Sequence, residues 1–474
     1  MIAKTVKENG LLLLILSLAL FLRVYKMPSL MAFGGDVARD YLVARDITLK
    51  GKVPLIGSPT SVPWLYQGAF FTYLLGVILF IGKFNPLAGG YFVAIAGTVS
   101  VLGLYLLGKR LFNKEAGLVS AFFYALSPLI VVFDRYPYHQ SLISIFTIAF
   151  IYSLFLASQK PKYFVLAFFL FGLLMQLELS NLVIFPILFI WLFLHRKNVS
   201  FKSILTAVLF FVLTWLPKII YDLKNSFSQT IGFLLWVLHK LPIVRQIIGD
   251  REVGLPLIDR FRAIFLYLSR IIYWPSVLLS TLIFTLFLLI CLKKRLNLLV
   301  LLWVFVPIFG FLIMGSPSES YVPVLFGGIA LLIGNAFLVL KNKSVKVLVF
   351  TGVFIIGIEN CFILINHNFF MTTSFKNESY NHGFSYALNQ KIANELVSFA
   401  KGKKFNLIAL GNYGNYNSSL LNTQYLCWYF GNEPSEEKQD LKYYLYEKKD
   451  NISVKNAVFI KDFNYIMVAG VEKK

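Results

Sequence analysis

The sequence predicts an all-α polytopic membrane protein that ends in a small extracytoplasmic α/β domain. Three observations carry the prediction. The 474-residue chain is 58% hydrophobic, with 47 Phe, only 14% charged residues and a mean hydropathy of +0.70, whereas soluble domains carry about 25% charged residues. Apolar runs recur along it, each closed by a Lys/Arg cluster or by Pro and Gly. Beyond residue 365 the composition turns polar and rich in Asn, Lys and Tyr.

A membrane-spanning helix needs roughly 20 apolar residues, with about 17 tolerated. Runs of that kind lie at 10–26, 88–108, 116–133, 141–157, 163–179, 181–195, 203–221, 272–292, 297–315, 321–340 and 347–365, about eleven spans in all. The first 26 residues resemble a signal peptide, but no A-x-A cleavage site follows, so they read as an uncleaved first span. With the N-terminus cytoplasmic, the basic caps Lys4/Lys7, Lys109/Arg110/Lys114, Lys160/Lys162, Arg196/Lys197/Lys202, Lys293/Lys294/Arg295 and Lys341/Lys343/Lys346 all face the cytoplasm. The short apolar run AFFTYLLGVILFIGKF (69–84) would invert several of these caps if it crossed. It is therefore expected to lie in the interface, with Lys83 snorkelling.

In the tail, residues 385–402 repeat apolar residues at helical spacing and stop at Gly402, while 404–414 and 457–470 read as strands punctuated by Gly and Asn. The expected division is a transmembrane domain over 1–365 and an extracytoplasmic α/β domain over 366–474. The formal charge of +22 sits mostly in the short caps, which excludes a nucleic-acid-binding face. Cys291, Cys361 and Cys427 are far apart, and two lie in apolar runs, so neither a disulfide framework nor a cysteine metal site is expected. The NES sequon at 377–379 matters only in a host that glycosylates it.

This threading collects the polar residues on the outer side. Asp36, Arg39 and Asp40 lie in the first outer loop, followed by Tyr66 and Gln67. Asp134, Arg135, Tyr136 and His139 fill the second outer turn. Glu178 and Asn181 stand at the third, Asp222 at the fourth, and Glu319 and Tyr321 at the fifth. In FGGDVARD the spacing places Asp36, Arg39 and Asp40 on one helical face. Two readings stay open: Asp36 as an N-cap with a local Asp–Arg pair, or a carboxylate base beside a guanidinium shaped for phosphate oxygens.

The stretches GDVARDYLVARDITLKGKVPLIGSPTS, WLYQGAFFTYLL, YLLGKRLFNKEAGLVSAFFYALSP and LPKIIYDLKNSF occur in that order within about the first 230 residues. Together they resemble the bacterial branch of the protein O-mannosyltransferases, membrane glycosyltransferases of the GT-C fold that are related to the lipid A aminoarabinose transferases. The resemblance implies a polyprenyl-phosphate-sugar donor and an acidic active-site motif in the first outer loop. Asp36 matches that motif's Asp. Val37 replaces its usual Glu, so the role of that Glu is either absent here or moved to Asp40. Arg39 matches a position that contacts donor phosphate. The family's lysine-proline-proline motif aligns with Gln67-Gly68-Ala69, so Gln67 would offer phosphate a hydrogen bond without a charge. Catalysis would then be an inverting transfer to an extracytoplasmic acceptor, with protein, lipid and cell-envelope glycan all open.

The remaining residues admit two readings each. Arg23 ends the first span and either snorkels or binds. Asp134 and Arg135 are either a turn pair or substrate ligands, and His139 is either a packed interfacial histidine or a metal ligand. Glu178 is either a functional acid or a hydrogen-bond partner of a neighbouring helix. Asp222 and Tyr321 join the substrate-binding candidates, Asp222 with a loop-ordering alternative. No His/Cys cluster has ligand spacing, although an Asp pair can hold a divalent ion. A transporter or lipid flippase is the rival class, but its expected repeated halves and midplane charges are not evident. A polysaccharide ligase or polymerase and a non-enzymatic scaffold complete the alternatives.

Overall fold

The computed structural model describes residues 2–62, 64–196, 199–240, 244, 255–293, 297–315, 317–340, 342–366 and 383–473. The sequon at 377–379 and the cap residues Lys197, Lys294, Arg295 and Lys341 lie outside them. The N-terminal half runs α1 (Ile2–Val24), α2 (Met27–Leu30), α3 (Gly35–Lys50), α4 (Phe70–Ile81), α5 (Leu87–Leu111), α6 (Lys114–Leu126), α7 (Pro128–Phe133), α8 (Ile143–Ala157), α9 (Tyr163–Leu177), α10 (Phe185–His195), α11 (Phe201–Lys224) and α12 (Ser228–Lys240). Then follow α13 (Leu257–Ile272), α14 (Val277–Leu292), α15 (Leu298–Met314), α16 (Phe326–Val339) and α17 (Lys343–Asn366).

Among the described residues, five helical stretches are long and apolar enough to cross a membrane, and a sixth crossing results if the bent pair α13–α14 is one span. Five shorter apolar helices accompany them. This is a multi-pass architecture. α4 has 12 residues, about 18 Å of helix, well short of the roughly 30 Å hydrocarbon core. Lys83 and Phe84 then take left-handed backbone angles, φ 51° and 60°, and turn the chain into α5.

The helices depart from the sequence reading in several places; the expected span at 116–133, for one, is split at Ser127 into α6 and α7. Residues 228–240 and 257–272, left unassigned there, form α12 and α13, and the expected span at 272–292 begins only at Val277. α13 and α14 meet at 83°, so α13 turns sharply away from the axis of α14 instead of extending it.

Three spans are entered through 3-10 turns: His139–Leu142 before α8, Leu179–Ile184 before α10 and Glu319–Leu325 before α16. Two of the turns are capped by side chains: the Glu178 carboxylate and the Ser318 hydroxyl accept from the backbone N–H groups of Ser180 and Ser320. Polar side chains are thereby set at the ends of apolar helices.

The tail comprises α18 (Tyr386–Ala400), β1 (Phe405–Ala409), α19 (Leu421–Tyr429), β2 (Leu441–Glu447), β3 (Phe459–Asp462) and β4 (Ile466–Glu472). The sheet order is β1-β2-β4-β3, with β1 parallel to β2 and the other pairs antiparallel. A parallel pair needs a crossover, and α19 lies in that connection. The expected strand at 457–470 is in fact two, β3 and β4, while β2 and α19 were not anticipated. Ile392, Leu396, Tyr443, Leu445 and Val468 are among its buried residues.

Candidate active site

α3 begins without the Asp36 N-cap that one of the two sequence readings expected. Gly34 is its N-cap and no side chain makes a cap hydrogen bond, so Asp36 sits in the first turn without capping it. Its side chain is 56% exposed and lies 3.1 Å from Arg39 Nη1. One turn on, Asp40 is buried. Arg39 Nε and Nη2 each donate to Asp40 Oδ1 at 3.3 Å, and Nη2 also reaches the Tyr138 hydroxyl at 3.4 Å. The Ser58 hydroxyl lies 2.8 Å from both Asp40 oxygens. Burial pushes the Asp40 carboxyl above its ordinary value, against the opposing pull of Arg39. One carboxylate therefore anchors the guanidinium from behind, and the other stays open in front.

Asp36 and Arg39 form one wall of a cavity of about 730 Å³. Tyr136, Tyr138, His139 and Gln140 from the entry to α8, Gln67 from the first loop, and Glu178 from the end of α9 also line it. Trp236 of α12, Tyr267 and Arg270 of α13, and Glu319 and Tyr321 before α16 belong to the same lining. Arg270 pairs with Glu319 and lies over the Trp274 ring, 5.3 Å from its centroid. Sequence reasoning missed Trp236, Tyr267 and Arg270. The available signal was DRFRAIFLYLSR, whose helical periodicity separates an apolar face from a basic one.

The cavity thus gathers Asp36, Arg39, Gln67, His139, Glu178 and Tyr321 from among the expected residues. Gln67 does not offer a free amide to it. Its Nε2 donates to Glu178 Oε1 at 2.7 Å, and its Oε1 accepts the Leu179 N–H at 2.9 Å. His139 Nε2 stands 3.4 Å from Glu178 Oε2. Asp40, expected beside Asp36 in the site, is buried behind Arg39 and is not among the residues that line the cavity.

Asp134 and Arg135 are also placed elsewhere. Asp134 Oδ2 accepts from Arg23 Nε at 2.8 Å, in a buried pair between α1 and the end of α7. Gly97 on α5 leaves room for it, since a Cβ there would lie 2.2 Å from the Asp134 carboxyl carbon. Arg135 Nε donates to Leu22 O at 3.0 Å. These three groups fasten helices and leave the cavity to others, so Arg23 neither snorkels nor lines it.

Asp222 orders a loop. Its carboxylate accepts from Gln229 N at 2.7 Å, Thr230 N at 2.9 Å and Thr230 Oγ1 at 2.6 Å. Gln229 in turn receives the Tyr66 N–H at 3.0 Å and donates to Trp64 O at 2.9 Å. Tyr66 acts here through its backbone and does not line the cavity. Among the described residues, no three His, Cys, Asp or Glu side chains gather closely enough to hold a metal ion.

Comparison with known proteins places this geometry. Residues 67–221 match the family model described as dolichyl-phosphate-mannose-protein mannosyltransferase; the match begins after the first-loop acids. No curated protein matches in sequence. Among solved structures, ArnT from Cupriavidus metallidurans, bound to undecaprenyl phosphate, is similar over 97% of this chain and 98% of its own, at 12% identity and a TM-score of 0.64. The oligosaccharyltransferase of Archaeoglobus fulgidus, in complex with Zn and sulfate, is similar over 87% of this chain but 61% of its own, at 16% identity and a TM-score of 0.56. AglB of that organism, with an inhibitory peptide and a dolichol-phosphate, matches 94% of this chain and 70% of its own at 14% identity, with a TM-score of 0.53. The likeness to these structures gives the chain the GT-C fold, and residues 67–221 within it are similar to the mannosyltransferase family.

Proposed function

We propose that the protein moves a sugar from a polyprenyl-phosphate-sugar donor to a hydroxyl of an extracytoplasmic acceptor, with inversion at the anomeric carbon. The observation that carries this is the open Asp36 carboxylate, 3.1 Å from Arg39, on the wall of a cavity of about 730 Å³. That volume lies within the range of small-molecule sites.

The acceptor hydroxyl attacks the anomeric carbon while its proton passes to Asp36. The bond from that carbon to the phosphate oxygen breaks on the opposite face, and polyprenyl phosphate leaves as an anion. Arg39 stabilises the charge that develops there, held in place by Asp40 and Tyr138. No covalent enzyme intermediate is needed. The structural similarity to ArnT bound to undecaprenyl phosphate supports a lipid-linked donor. An outward-facing cavity fits the basic caps, which gather between the spans at the loops remote from the cavity residues.

The test is reconstitution in lipid vesicles with a polyprenyl-phosphate-sugar, following release of polyprenyl phosphate, together with mass spectrometry of lipid retained through purification. Release that depends on acceptor, or a retained polyprenyl-phosphate lipid, is expected. A folded preparation that neither retains such a lipid nor releases it would overturn the reading.

A further inference from the structure

The tail is fastened to the first outer loop at the point where α3 begins. Phe33 N donates to Phe384 O and Tyr386 N donates to Met31 O, both at 2.9 Å, forming an antiparallel bridge between Ala32 and Ser385. Asn389 on α18 adds a buried bond, its Nδ2 donating to Phe33 O at 2.9 Å while its Oδ1 accepts from Asn422 Nδ2 at 2.9 Å. Gly35, the first residue of α3, lies so close to the tail that a Cβ there would stand 1.9 Å from Ser418 O. Farther along α3, Tyr41 meets Tyr425 edge-on with ring centroids 5.4 Å apart. Arg45 reaches Glu433 at 2.8 Å.

We infer that the tail is a positioning element of the catalytic site: the contacts at Gly35 and Asn389 set where α3 starts and hence where Asp36 points. The physical reason lies in the missing cap. No side chain caps α3, so the exposed Asp36–Arg39 pair is all that holds its first turn from within the helix, and Asp36 is its second residue. The backbone before it is held by hydrogen bonds from the tail. A base displaced by about 1 Å can lose some 10² in rate, so the fastening acts directly on transfer. Asn389 and Gly35 act through Asp36 and touch no substrate themselves. The inference rests on the reading of Asp36 as the base.

Gly35→Ala and Asn389→Asp test it in the full-length protein reconstituted with donor. Alanine at a helix's first position favours the helix over glycine, so Gly35→Ala perturbs chiefly the approach of Ser418. Asn389→Asp keeps the shape but replaces the donor aimed at Phe33 O with an acceptor. Each is expected to lower kcat roughly 10- to 100-fold, with the donor KM close to the parent's. Turnover is measured well below each variant's own unfolding temperature, because a Cβ against Ser418 O and a buried acid against the Phe33, Phe384 and Ser385 carbonyls both cost stability. In an Asp36→Asn background neither should lower it further, because the group being positioned is gone. Wild-type kcat in both variants, or losses that multiply with that of Asp36→Asn, would overturn the inference. Normal turnover by Asp36→Asn alone would instead remove the base assignment, so the two failures are told apart. Should Gly35→Ala unfold, Asn389→Asp and its double variant carry the test alone.

Discussion

Two ion-pair groups line the cavity, one on the α3 wall and one on the α13 wall, and they use the same residue types in opposite ways. On the α3 wall one arginine serves two carboxylates: Asp40, 3% exposed, holds it from behind, and Asp36, 56% exposed, stands free in front. On the α13 wall Arg270 and Glu319 form a closed pair, with side chains 8% and 10% exposed. An exposed ion pair contributes little to stability, so its acid is available for chemistry. A buried pair is strongly destabilising when broken, because the surviving charge is stranded. The comparison predicts that damage to the first wall appears in turnover and damage to the second appears first in stability.

The largest effect should come from Asp36→Asn. Transfer should fall by the roughly 10² to 10⁴ typical of a lost general base, with thermal unfolding in detergent almost unchanged, since Asp36 makes no cap bond. A well-folded Asp36→Asn protein with normal turnover would erase the contrast between the walls. Glu319→Gln should do the reverse, lowering stability by about 3 kcal/mol as the Arg270 charge loses its buried partner. If Glu319→Gln melts like the parent but loses turnover, the second wall is catalytic as well. Arg39→Lys keeps the charge and loses the planar fork that spans Asp36, Asp40 and Tyr138. Transfer should then fall about 10- to 100-fold, less than for Asp36→Asn, as measured by donor-saturated kcat.

The unequal legibility of the two walls in the sequence has the same physical root. Asp36, Arg39 and Asp40 share one helical face through local spacing alone, so an i, i+3, i+4 argument finds them. The spans were equally readable, because apolar runs and basic caps are local signals. Arg270 and Glu319 are 49 positions apart, and α13 carries enough arginine that hydropathy reads it as polar. Asp134 looked like a site residue because only its neighbours in sequence were visible. Its partner Arg23 lies 111 positions away, and a buried pair between helices leaves no local pattern. In the tail, β2 was hidden because its alternating Tyr and Leu are interspersed with lysines in LKYYLYEKK. Gln67 shows a further limit. Alignment alone gives it a phosphate-facing role, while the fold commits both ends of its amide to Glu178 and Leu179.

The smallest effect, and the one that sharpens the contrast most, concerns Asp40. Its carboxyl is raised by burial, with Arg39 and Ser58 pulling the other way. Between its unfolded and folded values the native state binds more protons than the unfolded one. Stability therefore falls as pH rises through that window and carries the cost of the buried charge at neutral pH. Transfer should move oppositely, rising over the same window as ionised Asp40 takes hold of Arg39. Asp40→Asn should flatten this dependence in unfolding measurements, leave stability at neutral pH equal to the parent's or higher, and lower kcat by about tenfold or less. The ordering decides the assignment. A loss with Asp40→Asn as deep as with Asp36→Asn would make the buried acid the base. The open carboxylate would then be its electrostatic partner, because only the group that accepts the proton is expected to cost the full 10² to 10⁴.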